Sequence, residues 1–116
     1  MSKEIGEFSL KSTSWTMGDN ELSANFEGTA SGFGEVVGTL SGSGEPGAEF
    51  GRCSWRAGAF LENGDQMQAA GEGTWHSIGK HRWQIRMTIG ISDGRTILSD
   101  GVLDMPSRSF SGKIFD

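Results

Sequence analysis

At 116 residues, 34% of them hydrophobic and 22% charged, the chain is long enough to build one domain, residues 1–116, around a single core. A net charge of −5, with no Lys/Arg cluster and no basic amphipathic stretch, argues against a nucleic-acid partner and against a membrane surface. No apolar run approaches the roughly 20 residues of a membrane helix, Met1-Ser2-Lys3-Glu4 lacks an apolar signal region, and the lone Cys53 has no partner for an internal disulfide, so a cytoplasmic location is expected.

The first predicted strand runs from about Ile5 to Met17. Phe8 and Leu10 are in even register and Trp15 and Met17 in odd register, so a one-residue bulge between them would put all four on one face. Gly18-Asp19-Asn20 turns the chain into a second strand, Glu21 to Thr29, with Leu22, Ala24, Phe26 and Gly28 on one face. The third runs from Phe33 to Ser41, followed by a loop at Gly42-Ser43-Gly44-Glu45-Pro46-Gly47. The fourth, Glu49 to Leu61, sets Cys53, Trp55, Ala57, Ala59 and Leu61 opposite Arg52, Ser54 and Arg56. Asn63-Gly64 then reads as a type I′ hairpin turn, which needs positive φ at both central residues.

The fifth strand, Asp65 to His76, alternates Met67, Ala69, Gly71, Gly73 and Trp75 with Gln66, Gln68, Glu72 and Thr74. Ser77-Ile78-Gly79-Lys80 leads into the sixth, His81 to Ile91, where Trp83, Ile85, Met87 and Ile89 alternate with Arg82, Gln84, Arg86 and Thr88. Asp93-Gly94 is a second hairpin signal. The seventh strand is Arg95 to Asp104, broken by Met105-Pro106-Ser107, and the eighth is Arg108 to Phe115.

No stretch keeps a helical period, so the chain reads as all-β. Eight short strands joined by short turns predict a single antiparallel up-and-down β-barrel, the last strand pairing with the first, with a β-sandwich as the alternative. Glu27-Gly28-Thr29 and Glu72-Gly73-Thr74 stand 45 residues apart, a spacing that would suit a duplicated half-barrel.

The inward face mixes Gly and Ala with Trp and Met. Either the small residues make room for the large ones in a filled core, or they open a pocket for a small apolar molecule. In the second case Cys53, Trp55, Met67, Trp75, Trp83 and Met87 are the predicted ligand-binding residues. His81, read at the start of the sixth strand on the apolar side, is the one candidate for proton transfer. With two histidines and no third ligand, no metal site and no cofactor are expected. Arg52, Arg56, Glu72, Arg82, Arg86 and Asp100 read as outward, where arginines and carboxylates would face each other across strands. A register slip of one would turn them inward.

The segment Gly71-Glu72-Gly73-Thr74-Trp75, leading into a turn and a new strand, resembles the small barrels related to allene oxide cyclase. Lipocalins and other calycins share Gly-x-Trp elements of this kind. The resemblance implies an eight-stranded barrel, often a homo-oligomer, whose apolar cavity folds a reactive substrate for cyclisation. The leading expectation is a barrel that binds a small apolar molecule in its interior, with isomerase, cyclase or lyase activity as its enzymatic form. No inward carboxylate of this chain matches, so no catalytic residue carries over. The competing expectation is a non-enzymatic binding or scaffolding protein with a solid core.

Overall fold

The computed structural model describes residues 3–116, so the sequence reading at Met1 and Ser2 lies outside the described residues. The strands are β1 (Glu4–Gly18), β2 (Glu21–Ala30), β3 (Gly34–Ser43), β4 (Phe50–Phe60), β5 (Gln66–Gly79), β6 (Arg82–Ile91), β7 (Thr96–Asp104) and β8 (Ser109–Phe115). Each pairs antiparallel with its neighbours in the chain, and β8 pairs with β1 from Glu4↔Phe115 to Lys11↔Ser109. The sheet is therefore a closed up-and-down barrel, and the sandwich alternative falls. Among the described residues, no helix is long and apolar enough to cross a membrane.

Period-2 alternation fixes which face is buried. Phe8, Leu10, Ala24, Phe26, Val36, Leu40, Cys53, Trp55, Ile85, Met87, Ile89, Ile97, Leu103, Phe110 and Ile114 form the core. The charged positions point outward, and cross-strand partners meet there: Arg82 pairs with Asp104 at 3.2 Å and Arg86 with Asp100 at 3.3 Å. Lys113 on β8 reaches Glu4 on β1 at 3.3 Å, across the closing seam. The register is the one the sequence predicts, not its inversion.

The predicted bulge is present. The β1–β2 register shifts between Ser12 and Ser14, leaving Thr13 as the extra residue. The indole Nε1 of Trp15 donates to Ser12 Oγ at 3.0 Å across it, and the bulge returns Trp15 to the side of Phe8 and Leu10. Met17 follows on that side but sits at the rim, 75% exposed.

Three local expectations are corrected. At Asn63-Gly64 only Gly64 has positive φ, and the connection is a longer one, closed by Leu61 N–H to Asp65 O and Gly64 N–H to Leu61 O. Asn63 instead uses its side chain, Oδ1 accepting from the Asp65 N–H at 2.9 Å, a local bond that Asn makes in turns. Ile91 to Arg95 repeats this arrangement with Gly94 and Asp93. Second, His81 is not a strand residue: it sits in the β5–β6 turn, exposed, with φ 58°. Third, the 45-residue spacing maps β2 onto β5, three strands on, and in an antiparallel meander an odd step reverses strand direction. The repeated segments are therefore not equivalent halves of the barrel.

Candidate binding site

The barrel interior is blocked at mid-height by aromatic rings. Phe110, the most buried large side chain, lies edge-on to Phe8 at 5.0 Å, Phe26 at 5.7 Å and Trp55 at 6.2 Å between ring centroids. Trp15 extends the chain of contacts from Phe26 at 6.2 Å. Edge-to-face packing of this kind adds about 0.5–1.5 kcal/mol per pair beyond area burial. Above and below this plug lie two cavities that share no lining residue.

The first is a small inner chamber of about 70 Å³. Its wall is almost wholly apolar, drawn from Leu10, Val36, Ala59, Met67, Ala69, Met87, Ile89 and Ile97. Phe33 covers its end. That ring is turned in by a β2–β3 connection with left-handed glycines on either side, Gly32 at φ 80° and Gly34 at φ 76°. The Arg95 guanidinium lies 5.0 Å from the Phe33 ring centroid, held by Asp93 at 2.8 Å.

The second cavity, about 330 Å³, opens at the other end of the barrel, among the β1–β2, β3–β4 and β5–β6 connections. Trp15, Trp75 and Trp83 wall it, with Leu22, Leu40, Ile85, Leu103 and Cys53 below them. The three indoles are only partly buried. Two are pinned: Trp15 by Ser12, and Trp75 by an Nε1–H bond to Ser43 O at 3.0 Å. The indole N–H of Trp83 makes no hydrogen bond among the described residues, which leaves one unpaired donor in the set. Glu21 and Glu45 stand on the rim, and neither is in an ion pair among the described residues.

The predicted site residues thus divide. Cys53, Trp75 and Trp83 line the open mouth, whereas Trp55, Met67 and Met87 line the inner chamber. His81 lines neither cavity. Burial pushes the Cys53 thiol up to about 11, a hydrogen bond with the Gly73 backbone pulling the other way, so the sulfur is held as a neutral thiol and not as a nucleophile. The residues that sequence reasoning missed are Trp15 and Leu22 at the mouth and Ser99 in the chamber. Trp15 and Leu22 were placed on the inward face, but parity along a strand gives no height along the barrel axis. No group of side chains suited to a metal ion occurs among the described residues.

Gly28, Gly71 and Gly73 on the inward face neither leave a hole nor make room for a Trp ring. A Cβ at Gly71 would stand 2.6 Å from Ile89 Cγ1 and 2.9 Å from the Thr88 carbonyl oxygen, and one at Gly73 or Gly28 would run into the neighbouring strand's backbone. They permit close approach of adjacent strands. Room for the Trp rings comes from other glycines. A Cβ at Gly38 would meet the Trp55 ring at 2.6 Å, and one at Gly44 the Trp75 ring at 2.7 Å. Gly42 differs again: its Cβ would lie an ordinary 3.7 Å from Trp75, beside open cavity.

No protein-family model, curated protein or solved structure matches this chain.

Proposed function

We propose that the barrel binds a small, flat, uncharged apolar molecule in its open mouth, between Trp15, Trp75 and Trp83. The observation that carries this reading is the 330 Å³ apolar cavity walled by three indoles. Its volume falls at the lower end of the range of about 300–1,000 Å³ found for small-molecule sites. Rigid indoles, two of them held by their own hydrogen bonds, offer flat faces at little entropic cost. The two rim carboxylates and the net charge of −5 weigh against an anion. The reading is one of binding rather than turnover. Among the described residues, the inward positions of all eight strands carry no Asp, Glu, Lys, Arg or His, and the one interior thiol is kept neutral.

Two dyes with the same ring system test it. N-phenyl-1-naphthylamine is neutral, and 1-anilinonaphthalene-8-sulfonate carries one negative charge. The neutral dye should take energy from the tryptophans and saturate near one equivalent. The sulfonate should bind at least threefold more weakly at low salt, with the gap narrowing as salt screens the rim. Failure of the neutral dye to saturate contradicts the proposal. Equal affinities would remove the rim carboxylates from it.

A further inference from the structure

The inner chamber carries one polar anomaly. Ser99 on β7 faces inward between Met87 of β6 and Ile114 of β8, its register partners. It is 6% exposed, and its Oγ is the one buried side-chain N or O atom without a hydrogen-bond partner among the described residues. A buried hydroxyl with nothing to bond costs free energy, and the great majority of such groups in folded proteins have a partner. β7 is paired on both sides, and neither a backbone nor a side-chain group among the described residues bonds the hydroxyl. A serine in place of valine or alanine therefore needs a partner that the chain does not supply.

The chamber around it is apolar. A water molecule placed there would have Ser99 and little else to bond, whereas buried waters make about three hydrogen bonds. At about 70 Å³ the chamber is roughly half the size of a 150 Å³ protein cavity known to take benzene. We propose that it is a second binding site, distinct from the mouth, for a neutral molecule of roughly three to five heavy atoms. The occupant sets an apolar body against Leu10, Ile89 and Ile97 and pairs one hydroxyl or carbonyl with Ser99 Oγ. Short-chain alcohols and ketones are the class that meets both demands. The occupant enters from the Phe33 end, because the aromatic plug separates the chamber from the mouth.

The test uses methyl-labelled protein and two probes, 2-propanol and xenon. Xenon reads the apolar volume alone, while 2-propanol also reads the hydroxyl. Both should shift the methyl signals of Met87, Ile89 and Ile97 saturably. Ser99→Ala should weaken 2-propanol about three- to tenfold, the worth of one neutral hydrogen bond, and leave xenon unchanged. Ser99→Cys, which keeps the shape with a poorer donor, should weaken 2-propanol in the same direction and guards against a folding defect in the alanine variant. The proposal is overturned if neither probe saturates, if xenon binds but 2-propanol does not, if Ser99→Ala leaves 2-propanol affinity unchanged, or if Ser99 Oγ holds a water that 2-propanol fails to displace.

Discussion

The two ends of the barrel solve the same packing problem with different side chains. Toward the β2–β3, β4–β5 and β6–β7 turns the wall is Ile, Val, Met and Ala, which interdigitate and shrink the interior to about 70 Å³ under the Phe33 ring. Toward the opposite turns it is three indoles, which are rigid and flat and leave about 330 Å³ open between them. Flexible aliphatic chains collapse onto one another until little space is left. Indoles pinned at Ser12 and Ser43 cannot follow, so they hold a mouth open. Whether a small barrel is filled or hollow therefore has no single answer here: the plug of Phe26, Phe110 and Trp55 makes it filled in the middle and different at each end.

The comparison is broken most severely by removing the plug. Phe110→Ala should cost about 3–5 kcal/mol of unfolding free energy, read from urea denaturation, and should join the two spaces. Next comes Gly71→Leu. If that glycine left a hole, leucine would fill it with little cost. The close approach of Ile89 and Thr88 instead predicts a loss of about 1–3 kcal/mol and a disturbed β5–β6 pairing.

A smaller effect comes from Cys53 at the foot of the mouth. Its folded-state value, about 11, is raised above the ordinary 9.0 by burial. The unfolded chain therefore loses the thiol proton first as pH rises. The stabilisation is fully present below pH 9 and is lost between pH 9 and about 11. Cys53→Ala should flatten the fall of melting temperature across that window, and the wild-type thiol should react slowly with a disulfide reagent at pH 8.

The smallest effect belongs to the outer wall, which serves both ends alike. Asp100→Asn removes the exposed ion pair with Arg86 and should change stability by no more than about 1 kcal/mol, less at high salt.

Much of this architecture was legible in the residues. Strict alternation on β4 to β6 gave the inward face, the phase change between Leu10 and Trp15 gave the bulge, and the outward arginines found the carboxylates expected of them. Parity could not say how high along the axis each inward residue sits, because that depends on the stagger between strands. For this reason parity groups Trp55 and Trp75 in one pocket, although they stand four residues apart in the β4–β5 register and face opposite ends. His81 was misread because a residue between Gly79 and Arg82 can begin a strand or occupy the left-handed turn position, and the alternation alone favoured the strand. The roles of the glycines were hidden for a related reason. A glycine beside a tryptophan in one strand does not make room for it; the room comes from Gly38, Gly44 and their like on strands and loops across from the ring.

The division of the interior is tested most directly by titrating N-phenyl-1-naphthylamine into the wild type and two space-filling variants, Gly42→Leu and Ala69→Leu. Leucine at 42 enters the mouth without a backbone clash, and leucine at 69 enters the inner chamber. The account predicts that Gly42→Leu abolishes saturable binding while Ala69→Leu leaves the affinity of the wild type. Binding lost in Ala69→Leu and kept in a folded Gly42→Leu would contradict it.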